Sequence, residues 1–141
     1  MTAEARIFVD SNVLVYAYDT SAGHKRERAV AVLDELWRDR RGALSIQALQ
    51  EFFVTVTSKL PRPIAVADAR RIIVNLGRWR MHEPDVEDVT QAIDIHRDYE
   101  ISFWDAMIVR SAAELGCDVL LSEDLNAGQT YRGVRVSNPF E

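Results

Sequence analysis

A short apolar run that ends abruptly in polar residues lies near the start of the chain, at Ile7-Phe8-Val9-Asp10-Ser11-Asn12. This pattern predicts a buried strand that leads into a helix capped by Ser11 or Asn12. Asp10 would then lie at the edge of a core, where an unpaired charge costs on the order of several kcal/mol. We therefore interpret Asp10 as a functional residue that needs a partner.

The rest of the chain alternates between helical periodicity and short apolar runs. Helices are predicted at residues 13–18, 24–41, 46–60, 65–79, 85–99 and 103–115, and strands at 7–9, 43–44, 81–83, 118–122 and 134–136. Strands separated by helical segments favour parallel pairing with helices on both faces of the sheet. The sequence therefore predicts the α/β class, with three layers and a small central parallel sheet flanked by helices.

Composition limits the other possibilities. With 141 residues, of which 48% are hydrophobic and 28% charged, residues 1–141 are expected to form a single domain. The single cysteine, Cys117, cannot form an internal disulfide, and its apolar surroundings indicate a buried, inert thiol. We expect a cytoplasmic protein without membrane contact, because no apolar stretch approaches ~20 residues and no secretion signal is recognisable.

Acidic residues occur where a parallel sheet binds its ligands, beyond the carboxyl ends of the strands. Asp10 ends the first strand, Asp124 follows the second convincing buried strand, and Asp105 lies in the first turn of a helix. Carboxylates that converge raise one another's pKa unless a cation holds them together. An all-oxygen set without His or Cys favours Mg²⁺ or Mn²⁺, ions whose usual chemistry is at phosphate groups.

Some of these acids also have a purely structural interpretation. Asp105 lies three residues after Ser102, which is the spacing of a capping box, and Asp124 is a residue type common in turns. A further acid, Glu51, points away from the apolar stripe of its helix at ~100° per residue, which favours an exposed position. The residues alone leave these alternatives open.

Four motifs, in this order along the chain, resemble the acidic motifs of PIN domains. They are Asp10-Ser11-Asn12-Val13-Leu14, Glu51 in the helix after the second strand, Ser102-Phe103-Trp104-Asp105-Ala106-Met107-Ile108 and Leu121-Ser122-Glu123-Asp124. The likeness to bacterial VapC-type toxins is the strongest, and it extends over almost the whole chain, including residues 133–140.

The resemblance implies a PIN-like α/β fold and a Mg²⁺- or Mn²⁺-dependent ribonuclease, in which the bound cation activates water for cleavage of RNA phosphodiester bonds. When the acidic positions of the family are carried over to this sequence, the residues that would hold the metal are Asp10, Glu51, Asp105 and Asp124. The last motif departs slightly from the family, since Ser122 replaces a frequent Thr and Glu123 competes with Asp124. Ser11 and Asn12 would orient Asp10.

A toxin resemblance also implies partners besides RNA. The expected partner is a cognate antitoxin that inserts an Arg or Lys among the acids and lays an apolar segment along Val30, Leu33 or Trp37. A homodimer is also possible in principle. The alternatives are a noncatalytic RNA- or protein-binding module and a housekeeping RNA-processing nuclease. A phosphotransferase of the haloacid dehalogenase type is disfavoured, because Asn12 occupies the position of its general acid.

The basic residues allow two interpretations. Net charge is −5, and 15 of the 17 basic residues are arginines, the better ligands for phosphate oxygens. One basic run follows the first helix and another ends the second: Lys25, Arg26 and Arg28, and then Arg38, Arg40 and Arg41. They are either exposed helix faces or an RNA track that borders the acidic site.

Overall fold

The structure is a computed structural model that describes residues 5–141. Its strands are β1 (Ile7–Val9), β2 (Gly42–Ser45), β3 (Arg80–His82), β4 (Val119–Leu121), β5 (Thr130–Tyr131) and β6 (Val134–Ser137). Its helices are α1 (Ser11–Tyr18), α2 (His24–Asp39), α3 (Ile46–Ser58), α4 (Val66–Leu76), α5 (Val86–Tyr99) and α6 (Phe103–Glu114). Within these residues, no helix combines the length and apolar character needed to span a bilayer.

The strands form one sheet in the order β3-β2-β1-β4-β6-β5. Every neighbouring pair is parallel except β5 with β6, which is antiparallel. The predicted α/β class is therefore confirmed. The antiparallel edge strand β5 was not predicted, because a strand of two residues is too short to show an alternating pattern.

Both faces of the sheet are covered, as the three-layer prediction requires. Ile7 and Val9 of β1 contribute to a core cluster with α1, α2, α3 and α4, whereas Phe8 contributes to a second cluster with α5 and α6. Successive side chains of a strand point to opposite faces, so this short apolar run serves both cores. Cys117 is buried in the second cluster, and burial raises the pKa of its thiol to about 12, in agreement with an inert role.

Helix α1 begins differently from the prediction. Its N-cap is Asp10 rather than Ser11 or Asn12, and the Asp10 carboxylate accepts a 2.7 Å hydrogen bond from the Ser11 backbone N–H. Asp10 therefore has a structural role as a helix cap, besides the functional role that the sequence suggested. A carboxylate in this position satisfies one of the free N–H groups at the helix start and lies at its positive end.

Helix α4 ends at Leu76, three residues before the predicted end, and the chain turns at Gly77 into β3. Trp79 then packs over the start of β2. The ring lies so close to Gly42 that any Cβ at position 42 would overlap it. The indole therefore requires a glycine beneath it.

Candidate functional site

Asp10 lies at the carboxyl edge of the sheet, where β1 and β4 end side by side. Its backbone N–H donates to the Leu121 carbonyl at 2.9 Å, and its side chain is 4% exposed. The carboxylate accepts hydrogen bonds from Ser11 N (2.7 Å), Ser122 Oγ (2.8 Å) and Asn12 Nδ2 (3.3 Å). All of these donors are neutral, so Asp10 is well hydrogen-bonded but receives no positive charge from them.

The electrostatic surroundings of Asp10 are correspondingly unfavourable for its charge. Burial raises the pKa of Asp10 to about 7, against the opposing hydrogen bonds from Ser122 and Ser11. Repulsion from Glu51 and Asp105 adds to the increase. Near neutral pH this carboxyl group is therefore poised between its protonated and its charged form.

Asn12 and Ser122 connect the end of β1 to the loop after β4. Asn12 Nδ2 donates to Asp124 Oδ2 at 3.0 Å, and Asn12 Oδ1 accepts from the Glu123 N–H at 3.2 Å. Ser122 Oγ, besides donating to Asp10, accepts from the Asp124 N–H at 3.2 Å. These bonds fix Asp124, in the loop after β4, relative to Asp10 at the start of α1.

Glu51 lies on α3, where helical spacing alone predicted an exposed acid. The side chain is instead half-buried, and Ser11 Oγ lies 3.3 Å from its Oε1. Burial raises the pKa of Glu51, hydrogen bonds from Gln47 and Ser11 oppose the change, and repulsion from Asp105 and Asp124 adds to it. The side of α3 that carries Glu51 therefore faces the acidic edge of the sheet.

Asp105 lies in the first turn of α6 and is also half-buried. Ser102 is the N-cap of this helix, and its Oγ accepts from the Asp105 backbone N–H at 3.0 Å. Burial raises the pKa of the Asp105 carboxyl group, the Ser102 hydroxyl lowers it, and repulsion from Asp124 raises it further. The cap thus uses the backbone of Asp105, while its carboxylate interacts with the other acids.

The neighbouring acids Glu123 and Asp124 have different surroundings. Glu123 accepts hydrogen bonds from Lys25 Nζ (2.5 Å) and the Tyr16 hydroxyl (2.7 Å). Burial tends to raise the pKa of Glu123, but these two partners outweigh it and the pKa is lowered. Asp124 is exposed, hydrogen-bonded to Asn12 and close enough to Glu51 and Asp105 to raise the pKa of both.

We refer to Asp10, Glu51, Asp105 and Asp124 as the acidic cluster. Its ligands would all be carboxylate oxygens, a donor set that suits a hard cation such as Mg²⁺ or Mn²⁺. In residues 5–141, however, no three His, Cys, Asp or Glu side chains are close enough together to form a ready-made metal site. The donor chemistry fits a divalent ion, and the carboxylates would have to draw closer to share one.

Gln47 is a residue at this site that the sequence analysis missed. It lies one helical turn before Glu51, and its Nε2 donates to the Trp104 carbonyl at 3.2 Å, which ties α3 to the first turn of α6. Its Oε1 is buried without a hydrogen-bond partner among the described residues. A polar residue four positions before a candidate ligand, on the same face of the helix, was the available signal.

The basic run at the end of α2 does not border the acidic cluster. Lys25, at the start of α2, lies beside the cluster through its contact with Glu123. Arg40, just after α2, lines a cavity together with Gly42 and Arg80, at the amino ends of β2 and β3. Helix α2 therefore runs from the acidic edge of the sheet to the opposite edge.

A second buried polar group lies apart from the acidic cluster. His82 contacts Ser111 Oγ through Nδ1 (2.8 Å) and Asp88 Oδ2 through Nε2 (3.1 Å), and Arg110 Nε lies 2.9 Å from Asp88 Oδ1. Burial tends to raise the pKa of Asp88, but hydrogen bonds from the Asp85 backbone and Arg110 outweigh it and lower the pKa. His82 is thus a buried histidine with a partner at each ring nitrogen.

Comparison with known proteins identifies the family. The PIN domain model matches residues 7–132, so the chain belongs to the PIN domain family. The resemblance to this family is therefore confirmed. No curated protein matches the sequence.

Solved structures share the fold at low identity. A toxin-antitoxin complex from Klebsiella pneumoniae has a TM-score of 0.71 and 18% identity, with 97% of this chain and 99% of that chain covered. DNA-bound VapBC from Salmonella typhimurium has a TM-score of 0.66 and 16% identity, with 96% of this chain and 98% of that chain covered. The sarcin-ricin loop cleaving toxin VapC20 from Mycobacterium tuberculosis has a TM-score of 0.62 and 18% identity, with 84% of this chain and 89% of that chain covered.

Proposed function

We propose that the protein is a divalent-cation-dependent ribonuclease whose acidic cluster holds Mg²⁺ or Mn²⁺. The observation that carries this proposal is the carboxylate of Asp10, 4% exposed, with neutral hydrogen-bond donors and repulsion from two further acids. A buried acid in such surroundings is stabilised in its charged form by a cation from outside. Membership of the PIN domain family supports the same function.

Asp124 rather than Glu123 is the fourth member of the set. The Glu123 carboxylate already has Lys25 and Tyr16 as partners, so binding a metal would mean breaking an ion pair. Asp124 is held toward Asp10 by Asn12 and has no ion pair among the described residues. The assignment follows from the difference in counter-charge between these neighbours.

The chain's own residues prepare the site for an anionic substrate. Ser11, Asn12 and Ser122 orient the carboxylates, and Asp10 would hold a cation in its charged form, with its proton released to water. When bound, the ion supplies a Lewis acid for a phosphoryl oxygen and an activated water. Without a cation the four carboxylates would repel the RNA backbone, so activity should require the metal.

The test of this proposal is cleavage of a panel of structured RNAs by the purified protein with Mg²⁺ or Mn²⁺ and with EDTA. We expect cleavage only with the ion and none by Asp10→Asn, while Asp34→Asn, an exposed acid on α2, serves as the matched control and stays active. Full activity in EDTA, or in folded Asp10→Asn, would show that the proposed mechanism is wrong.

We further propose that the protein acts in the cytoplasm as the toxin of a toxin-antitoxin pair. Similar folds occur in a toxin-antitoxin complex and in VapBC, which supports such a partner. An antitoxin Arg or Lys would neutralise the acidic cluster, and an apolar segment would contact Val30 and Trp37, which are 37% and 38% exposed. Leu33, which we expected in this contact, is 5% exposed and belongs to the core.

The partner is tested separately from the enzyme activity. The small reading frame adjacent to the gene is co-expressed, and the complex is purified and assayed for RNA cleavage. Co-purification with loss of cleavage supports the toxin assignment. A chain that cleaves RNA, is harmless when expressed alone and has no tight-binding neighbour would instead be a housekeeping RNA-processing nuclease.

A further inference from the structure

A cavity of about 690 Å³ lies at the amino ends of β2 and β3, on the opposite edge of the sheet from the acidic cluster. Its lining includes two tryptophans and three arginines, and we call these five residues the tryptophan–arginine groove: Trp37, Trp79, Arg40, Arg78 and Arg80. An adjoining cavity of about 380 Å³ shares Trp37 and Arg78 with it. The groove is therefore a continuous concave surface with aromatic and cationic walls.

The aromatic part of the groove is held in place. Trp79 is 8% exposed and rests on Gly42, and Trp37 packs against it edge to face, with ring centroids 5.4 Å apart. Trp37 remains 38% exposed. A large aromatic ring is thus fixed on one side by its neighbour and accessible to a ligand on the other.

The cationic part of the groove is not neutralised from within. Arg40, Arg78 and Arg80 are exposed, and none of them forms an ion pair with an acid of residues 5–141. The nearby Asp39 is instead paired with Arg38 (3.7 Å) and Arg41 (3.6 Å). A protein with a net charge of −5 therefore concentrates three free guanidinium groups beside an accessible indole.

We propose that the tryptophan–arginine groove binds a nucleotide of single-stranded RNA, with its base stacked on Trp37 and its phosphates bound by the arginines. Stacking on aromatic side chains and guanidinium contacts to phosphate are two of the interactions by which proteins bind unpaired RNA. An acidic peptide would use the arginines but leave the indole without a partner. This inference rests on the proposed function, because it takes the substrate to be RNA.

The position of the groove makes it a second contact on the substrate. Lys25, beside the acidic cluster, and Trp37, in the groove, lie on the same helix, and twelve residues of α-helix rise roughly 18 Å. An RNA that reaches both places must extend several nucleotides from the cleaved bond. The groove therefore contributes to binding of longer single-stranded segments and not to the chemical step.

The experiment measures binding of a fluorescent, unstructured 12-nucleotide RNA in EDTA, where the proposed nuclease is inactive. We expect Trp37→Ala to weaken binding by about fivefold or more, and Trp37→Phe to restore most of it, since a phenyl ring still stacks. Arg78→Gln should weaken binding and reduce the slope of log affinity against log salt by about 0.7, the value for one phosphate contact on a single strand. Arg62→Gln, an exposed arginine outside the groove, is the matched control.

Two results would overturn the inference. One is that Trp37→Ala and Arg78→Gln bind the RNA as the unchanged protein does. The other is that a polyglutamate peptide of equal charge, or inorganic pyrophosphate, competes as well as unlabelled RNA does, which would identify a general anion site. Loss of binding in these variants supports the inference even if the protein cleaves no RNA, so its failure and that of the proposed function are distinguishable.

Discussion

Asn12 and Asp124 are joined by a 3.0 Å hydrogen bond from Nδ2 to Oδ2, although 112 positions separate them in the chain. The same amide nitrogen lies 3.3 Å from Asp10 Oδ2. One neutral donor is therefore shared by two carboxylates, which it brings together without adding charge of either sign.

Asn12→Asp should destabilise the protein in EDTA by about 1–3 kcal/mol, because it replaces this shared donor by another carboxylate. Mg²⁺ should recover more stability in this variant than in the unchanged protein, since the added repulsion is relieved by the ion. Urea unfolding with and without Mg²⁺ measures both effects. Asn12→Ala, which removes the donor without adding charge, is the control, and equal stability of the two variants in EDTA would contradict the argument.

Asp10→Asn should change the stability of the protein in EDTA by an amount that depends on pH. The pKa of Asp10 is raised from 3.8 to about 7, so between these values the folded state holds a proton that the unfolded state has lost. Stability contributed by this proton is present below pH ~4 and is lost as pH rises to about 7. The stability of the Asn variant relative to the unchanged protein should therefore rise across this window, by at most about 4 kcal/mol.

Urea unfolding at several pH values between 4 and 8 measures this difference. Asp34→Asn is the matched substitution, since it makes the same chemical change at an exposed side chain outside the acidic cluster. A constant difference between Asp10→Asn and the unchanged protein would mean that Asp10 does not carry a raised pKa.

Glu123→Gln and Asp124→Asn should separate the two neighbouring acids. Glu123→Gln removes the partner of Lys25 but should leave Mn²⁺ affinity within about twofold, because the pair lies outside the cluster. Asp124→Asn should weaken Mn²⁺ binding by about tenfold or more. Titration calorimetry with Mn²⁺ gives both values, and the reverse ranking would assign the fourth ligand to Glu123.

Ser102→Ala and Asp105→Asn should separate capping from metal binding at the start of α6. Ser102 Oγ accepts from the backbone of Asp105, so Ser102→Ala should cost about 1 kcal/mol of stability. Asp105→Asn retains that bond and should cost less, yet it should remove most of the RNA cleavage. If Asp105→Asn unfolds the protein while the folded fraction keeps its turnover, capping is the main role of Asp105.

The sequence was most informative where periodicity extended over several turns or ended abruptly. The alternation of strands and helices gave the α/β class, and the polar end of the first strand located Asp10. The same local reasoning placed the cap of α1 one or two residues too late, since the choice among Asp10, Ser11 and Asn12 depends on backbone angles at the strand end. Strand β5 was not predicted, because its pairing with β6 involves two residues only.

For the arginines at the end of α2 the sequence left two interpretations open, and the structure excludes the RNA track that borders the acidic site. A helix that connects two parallel strands runs antiparallel to them, so its last residues must lie at the amino edge of the sheet. That rule alone places Arg40 at the edge of the sheet opposite to Asp10. The buried position of Gln47 was not accessible in this way, because it depends on how closely α3 approaches the first turn of α6.

Asp10 and Asp88 are equally shielded from solvent, at 4% exposure each, yet the pKa of Asp10 is raised and that of Asp88 is lowered. Burial is the main cause that raises the pKa of Asp10, whose hydrogen-bond donors are neutral, whereas hydrogen bonds from the Asp85 backbone and Arg110 lower the pKa of Asp88. Solvent exposure alone therefore does not separate an acid of the proposed metal site from an acid of a structural ion pair. A carboxylate that the fold encloses without supplying a counterion should make the stability of the protein depend on the ions around it, and we expect Asp10 to have this effect here.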